Sequence, residues 1–579
     1  LQVTPQLMAR LDSATKRAIL LHQIVIEVAK KHPHSMVYAL TAASKSSNET
    51  RAKNASGMLV SLREMHPNIV DEAKMVSQEL IKCAILWHEQ CHECLDEASR
   101  LYFQDRNVRG MFEALGPVNT ILDTTPVTLK EQSFHEEYAN ELTTARDYCR
   151  AFERTGDSTE LTRAWEIYYS VGTGSIFKRI AAQLRVMNSL DLPYISPVLQ
   201  MAGGLSVAVP GTFDPSLHLV TIAQFGQQMT VISSKQRPRK LSMRGSDGKE
   251  YMFLLKGHED PRQDERVMQF FGLVNTLLLH NGSTNRRNLT IQRYSIVALS
   301  QNSGLIGWVP DCDTLHALVR DYREKKKGIS LSMEHKLMQS IAPNMDQLSL
   351  LQKVQLFEAA LGSTDGQDLG QILWLKSPNS EVWFERRTNY TRSIACMSMV
   401  GHILGLGDRH PSNLMLDRLT GKIVHIDFGD CFEVAQTREK YPEKIPFRLT
   451  RMLVQAMEIT GIEGNYRLTS ERVLQVLRSK KDSLVAVLEA FVYDPLINWR
   501  LLDVNKKNPG EEKTKKANMT EVPEDVMNDV LDRIKLKISG REFLVDEVLS
   551  IEDHVDRLVN QASSHLNLAQ CYIGWCPFW

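Results

Sequence analysis

The chain has 579 residues, a length that predicts several domains rather than one. Its 69 basic and 69 acidic side chains give zero formal net charge, which argues against a general nucleic-acid binder. No apolar run reaches the ~18 residues of a membrane-spanning helix. The nine cysteines are typical of reduced thiols in a cytosolic protein, although the spacing of Cys571 and Cys576 would permit a disulfide. Because Leu1 is neither an initiator methionine nor part of a signal peptide, we expect an excised fragment.

Residues 1–184 are predicted to be helical, in two parts. Residues 1–81 carry spaced apolar positions and are expected to end a larger helical array. Residues 82–184 are expected to form an up-down four-helix bundle, because short connections join their helical patterns. Gly116-Pro117 is expected to bend or end the second bundle helix. The predicted bundle helices cover 87–102, 108–122, 130–153 and a stretch from 161.

The pattern changes after Leu192-Pro193, where alternating and β-rich runs begin. We expect an antiparallel sheet with an inserted helix around 263–280, followed by a mainly helical region. Residues 505–521 have no apolar period and are predicted to be disordered. The last eight residues hold four aromatic side chains, which should pack on the domain, on a partner or on a membrane surface. The predicted strands lie in the runs 204–209, 230–233, 250–256 and 294–299.

The motif that carries the chemistry lies about two-thirds of the way along the chain. Asp408 begins an Asp-Arg-His triplet, Asn413 follows five positions later, and Asp427 begins an Asp-Phe-Gly triplet. Phosphoryl transfer needs one carboxylate to orient the attacking hydroxyl, and a second carboxylate with an amide to hold metal ions. We therefore assign the proton-accepting role to Asp408, with His410 sharing that work or stabilising developing charge. Asn413 and Asp427 offer the hard oxygen ligands that Mg²⁺ prefers.

A lysine at the end of a predicted strand is the candidate for the ATP phosphates. Alternation places Met252, Leu254 and Lys256 on one face of the strand, where a lysine among apolar side chains should seek an anion. A carboxylate from the following segment, such as Glu259 or Asp264, would position it. Taken alone, Lys256 could equally be a surface lysine at a strand end.

The phosphate-binding loop is not obvious, because the chain has no Gly-x-Gly-x-x-Gly motif before this strand. The segment Ser233-Ser234-Lys235 could cradle phosphate with hydroxyl and backbone N–H groups, and Lys235 or Arg237 would add charge. The alternative interpretation is a solvated basic turn.

A hinge between two lobes is predicted at Ile306-Gly307-Trp308-Val309, just after the last predicted sheet strand. Its backbone groups could pair with adenine, and Trp308 could stack on the base. The alternative is a buried tryptophan at a domain junction. The order of lysine, hinge, catalytic loop and metal aspartate favours the hinge.

The Asp-Arg-His order reverses the His-Arg-Asp of ordinary protein kinases, and so resembles the phosphatidylinositol 3-kinase-related kinases. The longer stretches 85–89, 97–103, 257–268 and 572–579 together resemble the target of rapamycin (TOR) group of that family, and the resemblance covers nearly the whole chain. It implies a multidomain α+β chain with a bilobal protein-kinase-like fold, an inserted four-helix bundle and a preceding helical-repeat segment. The implied domains are the end of a FAT helical domain at 1–81, a rapamycin-binding (FRB) bundle at 82–184, a β-rich N-lobe at 190–310, a helical C-lobe at 311–546 and a FATC tail at 547–579.

The resemblance also implies an activity. The family transfers the γ-phosphate of ATP to Ser and Thr hydroxyls of proteins in nutrient and growth signalling, using Mg²⁺, with Mn²⁺ as an alternative. The nucleotide-pocket residues implied in addition to those above are Leu254, Tyr294, Ile306, Val309, Met415 and Ile426.

Partners and location follow from the same resemblance. It implies a WD-repeat β-propeller subunit at 328–367, scaffold subunits of TOR complexes, and rapamycin with an immunophilin at the bundle. It also implies a cytoplasmic location with peripheral association to lysosomal or other endomembranes. No nucleic-acid partner is expected.

The rapamycin or substrate-recruitment site is assigned to one face of the bundle. Leu95, Ser99 and Phe103 are spaced to share a helix face, and the small Ser99 should leave a dimple walled by Trp165 and Tyr169. Taken alone, such residues are more often ordinary bundle core, and the resemblance reverses that preference.

The chain departs from the family pattern at two places in this bundle. Gly172 and Gly174 should fray or kink the helix that leads to Phe177, another wall residue. Cys91 stands where the family usually has tryptophan. Both departures bear on rapamycin affinity and not on catalysis.

Two other functions compete with a protein kinase. A phosphoinositide kinase shares the catalytic motifs, but its lipid-phosphate site would need a dense basic cluster, and the segment after Asp427 is mixed in charge. A pseudokinase scaffold is the other alternative, and the presence of every catalytic residue type argues against it.

Overall fold

The computed structural model describes residues 3–12, 16–169, 174–497, 524–543 and 547–579. The predicted disorder at 505–521 lies outside these residues. The chain divides into two compact units, Leu1–Arg262 with Ser295–Trp308, and Gln263–Tyr294 with Val309–Trp579. The predicted α+β class with a sheet-containing part and a helical part is confirmed. Within the described residues, no helix has the length and apolar character needed to cross a bilayer.

The N-terminal helices of the first unit pack against its sheet. Tyr38 donates a hydrogen bond to the carbonyl of Ala208 at 3.3 Å, and buried Ser196 donates to Glu79 at 2.6 Å. Apolar side chains of the helices and of the sheet form one core. These helices are α1 Thr4–Ala9, α2 Lys16–Lys31, α3 Pro33–Ala43, α4 Glu49–Met65 and α5 Pro67–Ala84.

The bundle follows, and its helices are α6 Trp87–Ser99, α7 Val108–Asp123, α8 Leu129–Thr155, α9 Ser158–Tyr169 and α10 Ile176–Val186. Helix α7 continues through Pro117, so Gly116-Pro117 does not end it. A capping box of Thr128 and Glu131 begins α8, and left-handed Gly156 ends it. Helices α9 and α10 occupy the place of the single predicted fourth helix. The predicted effect of Gly172 lies outside the described residues.

An antiparallel sheet completes the first unit, in the order β1-β3-β4-β5-β7-β6, with β2 paired to β4. The predicted strand at 204–209 is wrong, because only isolated bridges form there, at Gly203 and Ala208. Strand β4 was not predicted because three cationic side chains interrupt its apolar pattern. The elements are β1 Ser189–Asp191, α11 Leu192–Ile195, α12 Pro197–Met201, β2 Ile222–Phe225, β3 Gln228–Val231, β4 Arg239–Gly245, β5 Glu250–Gly257, β6 Ile296–Ala298 and β7 Ser303–Gly307.

The second unit is mainly helical and contains a three-stranded antiparallel sheet in the order β10-β9-β8. The helix predicted as an insertion in the sheet domain, α13, belongs to this unit except for its first residue. The elements up to the catalytic segments are α13 Arg262–His280, α14 Gly282–Asn285, β8 Cys312–Thr314, α15 Leu315–Tyr322, α16 Met333–Ile341, α17 Leu350–Gly362, α18 Asp368–Leu375, α19 Ser380–Leu404, β9 Leu414–Asp417 and β10 Ile423–His425.

The C-terminal tail packs within the second unit. The rings of Trp579 and Phe357 lie 4.3 Å apart, and both side chains are buried. Trp579 therefore packs on α16 and α17, while Cys571 and Cys576 remain buried free thiols. The remaining helices are α20 Arg451–Gln455, α21 Arg467–Ser479, α22 Lys481–Val492, α23 Glu524–Ser539, α24 Ile551–Ser563 and α25 His565–Leu568.

Candidate active site

The catalytic loop leaves α19 at Gly405, whose left-handed backbone ends that helix. Asp408 itself has φ of 56°, a conformation that costs a non-glycine residue roughly 1–3 kcal/mol. Two side chains support it. Glu443 Oε1 accepts the Asp408 N–H at 2.9 Å, and Asn413 Nδ2 donates to the Asp408 carbonyl at 2.9 Å. The loop is therefore held from both sides in a strained shape that presents the Asp408 carboxylate.

Asp427 follows β10 and is strained in the same way, with φ of 59°. The buried guanidinium of Arg409 holds it, donating to the carbonyl of Ile426 at 3.0 Å and to the carbonyl of Asp427. Arg409 also donates to the carbonyl of Gly407 at 2.8 Å, so one side chain ties the catalytic loop to the metal segment. The hydroxyl of Tyr294 hydrogen-bonds the Asp427 backbone from another side.

The residues present fit a divalent metal ion of the Mg²⁺ type. Because the Asn413 amide nitrogen donates to Asp408, the amide oxygen points the other way and is free to act as a ligand. With the carboxylate of Asp427, it gives the hard oxygen donors that Mg²⁺ prefers. This donor set lies entirely within the second unit.

His410 faces Asp408 in a defined tautomer. Its Nδ1 accepts the backbone N–H of Ser412 at 3.1 Å, so a neutral ring carries its proton on Nε2. That nitrogen lies 3.9 Å from Asp408 Oδ2. Burial lowers the pKa of His410, which favours the neutral ring at neutral pH. His410 is therefore placed to donate a hydrogen bond beside the catalytic carboxylate.

The Asp-Phe-Gly segment is held by the start of α13. Gln263 donates to the carbonyls of Phe428 and Gly429, both at 2.9 Å, and Asp264 accepts the Phe428 N–H at 3.1 Å. The ring of Phe271 meets the Phe428 ring edge-on at 5.3 Å. Asp264 was predicted to position the phosphate-binding lysine, and its hold on Phe428 was not foreseen.

The lysine site is built on β5 in the first unit. Met252, Leu254 and Lys256 are half-buried and alternate with buried neighbours, so they share the open face of the strand. Lys256 Nζ lies 2.9 Å from Glu259 Oε2. Leu254 is the cross-strand partner of Ile306 on β7. An ammonium group, its carboxylate partner and two apolar side chains are thus brought together.

The predicted phosphate loop connects β3 to β4, and Ser233, Ser234 and Lys235 at its tip are exposed. Arg237 does not add free charge to this loop, which corrects that part of the prediction. Its guanidinium pairs with Glu89 at 3.0 Å and donates to the carbonyls of Leu184 and Met187. Arg237 instead anchors the base of the loop to the helical bundle.

The hinge prediction needs a correction as well. Ile306 and Gly307 lie inside β7 rather than after the last strand. The N–H of Gly307 donates to Ser295 at 2.7 Å, and the N–H of Trp308 donates to Met252 at 2.9 Å. Both N–H groups are therefore used within the sheet. The Trp308 ring lies under Lys240 Nζ, 4.2 Å from the ring centroid.

In the second unit, the remaining predicted pocket residues form one small apolar cluster. Val309 and Ile426 pack against buried Met415, together with Cys312 and Val424. The sequence order of strands β8 to β10 brings these side chains together, since β9 pairs with both neighbours.

The predicted bundle face is only partly correct. Phe103 is 60% exposed, but Leu95 is fully buried in the bundle core and cannot wall a dimple. A π-helical turn at Arg100–Gln104, which includes Phe103, also changes the regular spacing between Leu95 and Phe103. Tyr169 donates to the Leu95 carbonyl at 2.9 Å and hydrogen-bonds Ser99.

The face is a row of aromatic rings. Trp165 lies 5.1 Å from Phe103 and 5.6 Å from Tyr169, by ring centroids. Phe177 continues the row from α10, stacked on Tyr169 at 4.6 Å and on His92 at 4.3 Å. His92 was not predicted, because no motif marks it. Cys91 lies beneath, buried in the bundle core.

A second cluster of titratable groups joins the tail to the second unit. Ligand atoms of His402, Glu542 and His554 lie within 4.8 Å of one another. However, Arg478 lies 2.9 Å from His554 Nδ1 and must donate to it, so the ring proton sits on Nε2, facing Glu542. The cluster is therefore a hydrogen-bonded network rather than a metal site.

Three family descriptions match the chain. "Phosphatidylinositol 3- and 4-kinase" matches residues 250–501, "FKBP12-rapamycin binding domain" matches 79–181 and "FATC domain" matches 548–579. Among solved structures, the open conformation of CtTel1 has a TM-score of 0.68 at 24% identity, over 100% of this chain and 18% of that one. That likeness shows the fold.

Together the fold, the catalytic segments and these matches define a phosphatidylinositol 3-kinase-related kinase. The whole chain is 57% identical to "Target of rapamycin homolog" of Caenorhabditis elegans, 54% to "Serine/threonine-protein kinase mTor" of Drosophila melanogaster and 48% to "Serine/threonine-protein kinase TOR" of Arabidopsis thaliana. Within that family, the chain belongs to the target of rapamycin kinases. It spans 22%, 25% and 26% of the lengths of these three relatives.

Proposed function

We propose that this chain is an ATP-dependent serine/threonine protein kinase of the TOR type, acting in nutrient and growth signalling. One observation carries the proposal. Asn413 donates to both the carbonyl and the carboxylate of Asp408, at 2.9 and 3.4 Å, while Arg409 ties the same loop to Asp427. A proton acceptor and two oxygen ligands for a metal ion are thus fixed in one framework.

The proposed reaction assigns each group a task. Asp408 accepts the proton of the substrate hydroxyl while the hydroxyl oxygen forms a bond to the γ-phosphorus of ATP. The bond between the γ-phosphorus and the β–γ bridging oxygen breaks, which releases ADP. The Nε2–H of His410 stabilises charge near Asp408. Asn413 and Asp427 would hold a Mg²⁺ ion, which would neutralise the charge of the phosphates.

The nucleotide-binding residues are proposed individually. Lys256, oriented by Glu259, would contact the phosphates, with Ser233, Ser234 and Lys235 covering them. Because the N–H groups of Gly307 and Trp308 are occupied, the backbone of Val309 is proposed to pair with adenine. The remaining pocket walls would be Leu254, Tyr294, Ile306, Met415 and Ile426.

A protein substrate is favoured over a phosphoinositide by the segment after Asp427. Its first basic side chain, Arg438, pairs with Asp430 and lies 3.5 Å from Glu443. A lipid-phosphate site needs free basic groups, and this arginine is engaged. The relatives are also named as serine/threonine-protein kinases. The catalytic residue set argues against a pseudokinase scaffold.

The test supplies the purified chain with Mg-ATP and, in parallel, a Ser/Thr peptide library or phosphoinositide vesicles. We expect phosphopeptides and no phosphorylated lipid, with peptide turnover lowered about 10²- to 10⁴-fold in Asp408→Ala. Lipid turnover in place of peptide turnover would overturn the substrate class. ATP binding without turnover of either would favour the scaffold.

Partners and location are proposed on the family match. Segment 328–367 would bind a WD-repeat β-propeller, and it exposes Ile341, Leu350 and Leu351 by 55%, 43% and 70%. The aromatic face of the bundle would bind rapamycin with an immunophilin. Scaffold subunits would recruit protein substrates to a cytoplasmic kinase associated peripherally with endomembranes. The domain limits 1–81, 82–184, 190–310, 311–546 and 547–579 stand as part of this proposal.

A further inference from the structure

A buried carboxylate outside the sequence motifs touches the backbone of the catalytic aspartate. Glu443 lies in the segment that follows the Asp-Phe-Gly triplet and is 3% exposed. Its Oε1 accepts the Asp408 N–H at 2.9 Å. That N–H belongs to a residue with φ of 56°, so the hydrogen bond supports a backbone shape that the residue rarely adopts.

The same carboxylate is part of an ion-pair chain. Arg438 Nη1 lies 3.5 Å from Glu443 Oε1, and its Nη2 pairs with Asp430. The carbonyl of Asp430 accepts the Gly407 N–H at 3.0 Å, directly before Asp408. The segment after the metal aspartate therefore reaches the catalytic loop at two consecutive residues, 407 and 408.

Glu443 thus makes two kinds of contact that can be separated by mutation. The hydrogen bond to Asp408 needs an acceptor oxygen at the full length of the side chain, and it does not need a negative charge. The pair with Arg438 needs the charge and tolerates a change of length, because the arginine is flexible and 37% exposed.

We propose that Glu443 is a positioning residue for phosphoryl transfer, holding the Asp408 carboxylate in place through the Asp408 backbone N–H. This inference rests on the proposed kinase activity. Glu443 does not touch the reacting atoms. Its effect should therefore fall on kcat rather than on ATP binding, because displacement of a catalytic group slows the chemical step.

The test compares Glu443→Gln with Glu443→Asp. Glutamine keeps the acceptor oxygen at full length and removes the charge, whereas aspartate keeps the charge and shortens the reach. We expect kcat for peptide phosphorylation to stay within about threefold of the parent in Glu443→Gln and to fall roughly 10- to 100-fold in Glu443→Asp, with KM for ATP unchanged in both. Glu439→Gln and Glu439→Asp, on an exposed residue of the same segment, serve as matched controls.

Because shortening a buried side chain can unfold the segment, Arg438→Gln gives a second test. It removes the ion pair and leaves the hydrogen bond to Asp408, so kcat should again stay within about threefold. The inference is overturned if Glu443→Asp retains activity while Glu443→Gln loses it, or if Arg438→Gln is as damaging as Glu443→Asp. An inactive parent would be a failure of the proposed function and would remove this inference with it. An active parent with equal Gln and Asp variants would refute this inference alone.

Discussion

The catalytic loop and the bundle face are built by opposite means. Asp408 and Asp427 have strained backbone shapes, which are held by hydrogen bonds that buried Arg409 donates and buried Glu443 accepts. The bundle face is a row of stacked aromatic rings whose outermost member, Phe103, is mostly exposed. In the first region, function depends on a few directed contacts, whereas in the second it depends on the shape of a surface.

This contrast explains why mutations should separate the two regions. A directed site loses its activity when one group is removed, although the fold survives. A packed face loses stability when a core side chain is truncated and loses binding when an exposed ring is truncated.

The largest effect is expected from Asp408→Ala. Removing the proton acceptor should lower kcat about 10²- to 10⁴-fold, which is the usual cost of losing a general base. Thermal unfolding and immunophilin–rapamycin capture should stay at the parent level. The measurements are steady-state peptide phosphorylation and a pull-down on the same preparation. A loss of capture would show that the two regions are not independent.

Leu95→Ala should have the next largest effect, on stability. The side chain is fully buried, so its truncation should cost about 2–5 kcal/mol of unfolding free energy. Denaturant unfolding followed by tryptophan fluorescence would report the change, since Trp165 lies in the same core. If Leu95→Ala instead weakens rapamycin binding without loss of stability, Leu95 would line the face as the sequence predicted.

The bundle should also respond to acid through His88. Burial lowers the pKa of this imidazole from 6.5 to about 4. Because the pKa is lower in the folded state, the contribution of neutral His88 to the free energy of unfolding is complete above pH 6.5. This contribution is lost as the pH falls towards 4, by about 1.4 kcal/mol per pH unit. Unfolding measured from pH 7.5 to 4.5, a range of about three units, should therefore show a slope that His88→Gln reduces. An equal slope in the parent and in His88→Gln would contradict this prediction.

Phe103→Ala should change stability least. The ring is 60% exposed, so truncation should shift the unfolding free energy by no more than about 0.5 kcal/mol. Binding of rapamycin with its immunophilin should weaken by at least about tenfold, measured by calorimetry. Unchanged affinity would place the macrolide site elsewhere on the bundle.

The sequence points to the proposed catalytic residues more directly than to the surfaces around them. Asp408, Asn413 and Asp427 could be assigned because a chemical requirement fixes both residue type and spacing. Arg409 and Glu443 could not be assigned, because their contacts go to backbone groups, and hydrogen bonds to backbone groups leave no pattern of residue types.

The errors in the fold have local causes. Leu95 was expected to share a face with Phe103, but it is buried in the core, and the π-helical turn that includes Phe103 cannot be predicted from apolar spacing. The strand at 239–245 was missed because Arg239, although charged, is buried against Glu89. The predicted hinge at Ile306 and Gly307 lay too early, because both residues pair within the sheet.

The central claim is that Asp408, Asn413 and Asp427 form the catalytic and metal-binding centre of an ATP-dependent kinase. The most direct test is a structure of the chain with Mn²⁺ and a non-hydrolysable ATP analogue, with the metal located by its anomalous scattering. The account predicts the metal at Asn413 and Asp427, the phosphates at Lys256 and the adenine at Val309. A metal bound away from Asn413 and Asp427, or a nucleotide that leaves Lys256 without a phosphate contact, would contradict it.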